Sequence, residues 1–109
     1  MNTVRPVAAP ELHRRLTSPE PPLVLDVRTP AEWESGHIEH SLNFPLDGLG
    51  EREIPAHQEL VVYCQRGSRS AVAAGILAAR GIACSDLVGG IAAWQAAGYP
   101  ITDPAPAVR

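Results

Sequence analysis

Apolar and polar residues along this chain fall into blocks whose lengths separate strands from helices. Residues 23–27 (LVLDV), 60–64 (LVVYC) and 83–88 (ACSDLV) are short, largely apolar runs between turn-forming or polar stretches. Each predicts a strand, and near-continuous apolar character at that length suits a strand covered on both faces. Weaker strands are predicted over 4–7 and 41–44. Helices fill the gaps at 10–16, 30–34, 69–80 and 91–97. The first two begin at Pro10 and Pro30, a residue suited to a first helical turn. The last two stop at Gly81 and Gly98, as helices that end in a left-handed cap do. Residues 71–79 contain no polar side chain, which predicts a helix packed on more than one side. The PEPP stretch at 19–22 reads as a linker, and the Pro-rich residues 100–106 as a tail along the surface.

Strands alternating with helices give an α/β fold class: a small parallel sheet of about five strands with helices on both faces. The 109 residues leave room for one domain, 1–109, with 100–109 as its tail. Binding sites in such sheets lie outside the carboxyl ends of the strands, which directs attention to Asp26-Val27-Arg28, to residues 64–70 and to Val88-Gly89-Gly90. Composition narrows the chemistry. A formal charge of −3 argues against a nucleic-acid partner, whose binders are basic. No apolar run is long enough for a membrane span and the N-terminus lacks a secretory pattern, so the expectation is a cytoplasmic protein with no membrane partner. All nine basic residues are Arg, which removes lysine Schiff-base chemistry and P-loop phosphate binding. Two cysteines are too few for a disulfide framework and are expected as thiols.

Residues 64–70 (CQRGSRS) carry the most chemical information. Cys64 closes a buried strand, a short loop containing Gly67 follows, and a helix starts within about five residues. Backbone N–H groups of loop and first helical turn should converge around the sulfur, with the helix dipole adding positive potential. Arg66 and Arg69 add two guanidinium groups. Each feature favours thiolate, and such settings lower a Cys pKa from ~8.5 into the range of roughly 3.5–7.5. At an effective dielectric of 20, a guanidinium ~5 Å from a unit negative charge contributes about 3 kcal/mol, and nearer 1 when exposed. Cys64 therefore reads as a nucleophile that works on anions, whereas Cys84, inside an apolar strand, reads as a small buried hydrophobe.

The other polar residues are expected to support this site or to lie outside it. Asp26, at the same sheet edge, needs a partner if buried, either Arg28 or Arg69. It is assigned an ion-pair role, since a low-pKa thiolate needs no base. His37 and His40 lack the further ligands of a metal site, and no metal or cofactor is expected. Glu32 and Glu34 read as a solvated helix face, and Trp33 and Trp94 as packing residues. Gly89-Gly90 lacks dinucleotide-site spacing and reads as a tight turn beside the Cys64 loop.

Four motifs, in order, carry a resemblance. Asp26-Val27-Arg28, then Gly36-His37-Ile38 with Ser41-Leu42-Asn43-Phe44-Pro45, then residues 64–70, then the run from Leu87 to Trp94 followed by Gly98-Tyr99-Pro100, together resemble a single-domain rhodanese (thiosulfate sulfurtransferase). The match covers nearly the whole chain. It implies that Cys64 attacks the sulfane sulfur of thiosulfate or a related persulfide donor, releasing sulfite and leaving a persulfide. Cyanide, a small thiol or a protein thiol such as thioredoxin would then take the sulfur, in ping-pong covalent catalysis. The loop Gln65, Arg66, Gly67, Ser68, Arg69 and Ser70 would cradle the anionic sulfur as an oxyanion hole cradles oxygen. By position in the family, Arg66 would bind the donor's sulfonate, Arg69 would fix the loop's shape, and His37 would shape a turn. Gln65 departs from relatives with a second basic residue there, which bears on thiosulfate as the donor.

Rival readings share the thiolate. A cysteine phosphatase or arsenate reductase also uses an amide-lined loop, but tyrosine phosphatase loops place five residues between Cys and Arg. Here four intervene, so the loop is expected to be too small for a tetrahedral phosphate. A non-catalytic rhodanese-like binding module is the second rival; such modules usually lack the loop cysteine. Persulfide carriage between proteins is the third and differs in partner rather than chemistry.

Overall fold

Strand length and side-chain alternation divide the core of this protein into two. The computed structural model describes residues 4–102. In chain order it contains β1 (Val4–Val7), α1 (Ala9–Leu16), β2 (Leu23–Asp26), α2 (Pro30–Glu34), β3 (His37–Ile38), β4 (Leu42–Asn43), a 3-10 turn (Leu49–Glu51), β5 (Leu60–Tyr63), α3 (Ser68–Ala79), β6 (Cys84–Leu87), α4 (Gly90–Ala96) and β7 (Ile101–Thr102). Five strands form one sheet in the order β1-β6-β5-β2-β4, every neighbour parallel. Successive side chains of a strand point to opposite faces. On β5, Val61 and Tyr63 accordingly join Leu12 of α1 and Ile91 and Trp94 of α4 in one core. Leu60, Val62 and the following Cys64 join Ala73, Ala74 and Leu77 of α3 in the other. All four residues of β5 are buried, as expected for a strand sandwiched between helical layers.

The weak strands are weak for a structural reason. β1 is an edge strand that buries only Val7, and β4 is two residues long, at the opposite edge. The C-terminal expectation changes. Ile101 and Thr102, placed in the surface tail, pair antiparallel with Ile38 and His37 as a second small sheet and are half-buried. Residues 103–109 of that tail lie outside the described residues.

The expectation for α3 also needs correction. One face, Ser70, Ala73, Ala74 and Leu77, is buried, while Ala71, Gly75 and Ala79 are exposed and Val72 is 55% exposed. Its apolar character comes from alanines, which leave little apolar area to water, so a single covered face suffices. No helix among the described residues is long and apolar enough to cross a membrane.

Candidate active site

Cys64 sits where β5 ends, wholly buried at the floor of the loop that leads into α3. The Gly67 N–H donates to its Sγ at 3.0 Å. Gly67 reaches that position with φ +116°, a left-handed conformation that favours glycine, and it is the N-cap of α3. Ser70, one turn into the helix and fully buried, places Oγ 3.4 Å from Sγ. The helix presents its unpaired N–H end, the positive pole of its dipole, to the sulfur.

The loop's amides face inward because its carbonyls are drawn outward. Ile91 N–H donates to Cys64 O at 2.9 Å and Ala92 N–H to Gln65 O at 3.0 Å, both from the first turn of α4. In a trans peptide the C=O and the following N–H point in opposite directions. Turning those two carbonyls toward α4 therefore aims the N–H groups of Gln65 and Arg66 into the loop. The close approach requires Gly90: a Cβ there would lie 2.4 Å from Cys64 O and 2.5 Å from Gln65 O. Gly89-Gly90 is thus the tight turn beside the loop.

The electrostatic balance at the sulfur follows. Burial pushes the Cys64 thiol up, but the Ser70 hydroxyl and the N–H groups of Ser70, Gly67 and Arg66 outweigh it, and the net shift is downward. Cys84 has no such donors among the described residues. Burial, with the nearby Asp86 carboxylate, pushes it up to about 11. One cysteine is held toward thiolate and the other kept as thiol, on the same face of the same sheet.

Support for the loop comes from a buried ion pair. Asp26 is wholly buried and its partner is Arg28, not Arg69: Nη2 donates to Oδ2 at 2.7 Å and Nε reaches both carboxylate oxygens at 3.0 Å. The remaining Arg28 donors reach Gly36 O at 2.8 Å and Gln65 Oε1 at 3.2 Å. Burial lowers the Arg28 pKa, yet Asp26 more than offsets it and the guanidinium stays charged. The pair thereby ties the β2 end to the first residue of the loop and fixes Gln65.

Arg69 is fixed by Glu32, a residue that chain position alone assigns to a solvated helix face. Its two terminal nitrogens donate to the two Glu32 oxygens at 2.6 and 2.9 Å. Glu32 also accepts the Thr29 N–H while Thr29 Oγ1 accepts the Glu32 N–H, a capping box at the start of α2. Threonine followed three residues later by glutamate was a visible capping signal; that the same carboxylate holds Arg69 was not. These bonds bring the Glu32 pKa down to about 2, chiefly through Arg69. A cleft of about 380 Å³ flanks this pair, lined by Thr29, Pro30, Pro45, Leu46, Asp47 and Arg69 among others, but not by Cys64.

Arg66 and Ser68 are exposed, and Arg66 enters none of the ion pairs among the described residues. It is the guanidinium of the loop that is not spent on structure. His37 stacks on Trp33 at 3.4 Å between ring centroids and bonds its carbonyl through Nδ1, a turn-shaping contact. Trp94 is buried in the α1/α4 core.

A family model for the rhodanese-like domain matches residues 8–97. The chain belongs to the rhodanese-like domain family. It is 38% identical over 104 residues to a protein from Allochromatium vinosum named "Sulfurtransferase", covering 93% of this chain and 97% of the relative. Among solved structures it resembles a rhodanese-related protein from Thermoplasma volcanium, with TM-score 0.81, 34% identity, and coverage of 90% and 97% of the two chains. A Rhodopseudomonas palustris protein described as "Possible Tyrosine Phosphatase" superposes at TM-score 0.77, 27% identical over 91% of this rhodanese-like chain and 85% of its own. One backbone thus carries relatives described by both chemistries, and the choice between them rests on the loop itself.

Proposed function

We propose that this rhodanese-like protein is a sulfurtransferase that carries a sulfane sulfur as a persulfide on Cys64. The observation that carries the reading is the convergence of loop and helix N–H groups on a sulfur at a strand-to-helix junction. The 38% identity to a full-length relative named a sulfurtransferase supports it.

In the first half-cycle the Cys64 thiolate attacks the outer sulfur of thiosulfate, or of a persulfide donor. A Cys64–sulfur bond forms, the donor's sulfur–sulfur bond breaks, and its electron pair leaves with sulfite when thiosulfate is the donor or with the donor's thiolate when a persulfide is. The negative charge moves to the terminal persulfide sulfur, where the inward amides act as preorganised donors. In the second half-cycle cyanide or a thiolate, free or on a protein, attacks that terminal sulfur and Cys64 departs as thiolate. Arg66 meets the donor's sulfonate at the mouth, and the ties of Arg28 to Gln65 and of Glu32 to Arg69 hold the ring to one size.

Phosphate chemistry fits this site less well. A phosphate needs an arginine turned to its oxygens, and Arg69, four residues beyond the loop's start, is committed to Glu32 through both terminal nitrogens.

Protein mixed with thiosulfate is expected to gain the mass of one sulfur on the Cys64 peptide and release one sulfite per sulfur gained. Sulfite release that persists in Cys64→Ala would refute the assignment. Turnover of an aryl phosphate by wild type and not by Cys64→Ala would favour the phosphatase instead.

A further inference from the structure

The loop that holds Cys64 is closed on one flank and open on the other. β5 lies between β6 and β2 in the sheet, so the loop after it has α4, which follows β6, on one side and the end of β2 on the other. On the α4 flank Ile91 and Ala92 bind the Cys64 and Gln65 carbonyls, and even a Cβ on Gly90 would meet them at 2.4 and 2.5 Å. That flank has no room for a substrate. On the β2 flank lies the cleft of about 380 Å³, which no step of the two half-cycles uses. Its lining includes Val27, whose N–H donates to Tyr63 O at 3.0 Å. That bond sets Val27 abreast of Cys64, one strand spacing of about 4.8 Å away, and both side chains belong to the same core. Arg69, near the end of the loop, forms part of the wall. The cleft thus starts one strand from the sulfur and runs outward between Pro30, at the head of α2, and Pro45-Leu46-Asp47 after β4.

We propose that this cleft receives the carbon body of the sulfur acceptor, and that the acceptor is a small aliphatic thiol whose far end, where charged, is cationic; this rests on the sulfurtransferase reading and names its acceptor. The acceptor's thiolate attacks the outer persulfide sulfur, a sulfur–sulfur bond forms on the acceptor, and Cys64 leaves with the electron pair of the bond that breaks. The outer sulfur stands only about 2 Å beyond Sγ, and Cys64 is wholly buried. An acceptor must therefore lower its own sulfur into the loop while its body lies along the open flank.

The lining selects that body. Val27, Pro30, Pro45 and Leu46 present hydrocarbon side chains, and a mostly apolar cleft of this volume with a few polar groups suits a small organic ligand. Cyanide and thiosulfate have no alkyl chain to lay there. Arg69 adds no free charge, because Glu32 holds both its terminal nitrogens. Asp47 is exposed and enters none of the ion pairs among the described residues. The uncompensated charge in the lining is therefore negative, which repels an anionic body and holds a cationic one. Arg66, the free guanidinium of the loop, is not part of this lining. Donor sulfonate and acceptor body are thereby met by groups of opposite character.

The test loads the protein with thiosulfate and follows loss of the added sulfur mass on mixing with ethanethiol, 1-propanethiol or 1-butanethiol, which share a thiol and differ in body. Each added methylene is expected to speed transfer about fourfold, the equivalent of ~0.8 kcal/mol for a methylene taken out of water. A flat series overturns the proposal. Asp47→Lys, at an exposed position, fixes the place. Relative to wild type it should lower the ratio of the rates with 2-aminoethanethiol and with 3-mercaptopropionate about tenfold, and an unchanged ratio overturns the proposal. 1-Butanol, an unreactive stand-in for the thiol, is titrated into unloaded protein while the methyl resonances of Val27 and Leu46 are recorded. Both should shift, and their failure to shift overturns the proposal. Butanol binding needs no sulfur chemistry. A protein that binds butanol in the cleft but forms no persulfide refutes the sulfurtransferase reading alone. One that forms the persulfide yet gives a flat series and unmoved methyl resonances refutes the acceptor cleft alone.

Discussion

Replacing Gly90 by alanine should damage the active-site loop from a residue that touches no substrate. Gly90 has φ +62°, and a Cβ there would meet Cys64 O at 2.4 Å, Gln65 O at 2.5 Å and Gln65 C at 2.6 Å. Carbon–oxygen contacts ordinarily stay at or beyond about 3.3 Å, so the two segments must separate by close to 1 Å. Separation breaks the bonds from Ile91 and Ala92 to those carbonyls, each contributing ~1 kcal/mol net. The left-handed conformation adds about 1–2 kcal/mol for a residue with a Cβ. The sum is about 3–4 kcal/mol, a large part of the stability of a small domain. Gly98→Ala is the control, because Gly98 also has positive φ, +85°, but nothing within 4 Å of its Cβ position. It should show the conformational cost alone. Urea titrations of the three proteins, with the Cys64 ionisation midpoint measured on each, separate the terms. Gly90→Ala is expected to lose about 2 kcal/mol more than Gly98→Ala and to raise the Cys64 midpoint. Equal stability of the two variants, with an unmoved midpoint, would refute the claim that α4 turns the loop's carbonyls outward.

Further expectations follow from single contacts. Arg28→Met strands the wholly buried Asp26 and should cost about 3–5 kcal/mol in denaturant titration, with Arg28→Lys recovering only part because an ammonium cannot match the fork. Glu32 has its pKa depressed from 4.5 to about 2, so its contribution is full above pH 4.5 and fades as pH falls through 2; it binds fewer protons folded than unfolded in that window. Glu32→Gln should therefore lose ~1 kcal/mol at neutral pH, scaled down because the pair is part-exposed, and the gap to wild type in acid titrations should close near pH 2. Arg66→Ala should raise KM for thiosulfate about fivefold, the equivalent of ~1 kcal/mol for an exposed charge, and leave KM for an uncharged persulfide donor nearly unchanged. Gly75, exposed within α3 with open space at its Cβ position, should gain about 0.5–1 kcal/mol when replaced by alanine, read as a higher melting temperature.

What was legible in the sequence was whatever depends on neighbours along the chain. Strand-length apolar runs, proline at helix starts, glycine at helix ends and Cys64 closing a strand before Gly67 and α3 are local facts. From them came the five-stranded parallel sheet, the strand-end location of the loop and the N–H groups around the sulfur. The apolar run in α3 misled because alanine counts as apolar while demanding little cover. Ile101 and Thr102 were hidden among prolines, and their pairing depends on β3, more than sixty residues earlier.

The polar partnerships were decided in three dimensions. Asp26 had two candidate arginines, Arg28 two positions along the chain and Arg69 far from it; the fold gives it Arg28 at the same strand end, while Arg69 goes to Glu32 across 37 residues. The outward turn of the loop's carbonyls needs α4, which is not adjacent in sequence to Cys64. A charge or hydroxyl proton binds whichever partner packing brings within about 3 Å, and periodicity along a chain reports which face a side chain takes, not what waits there.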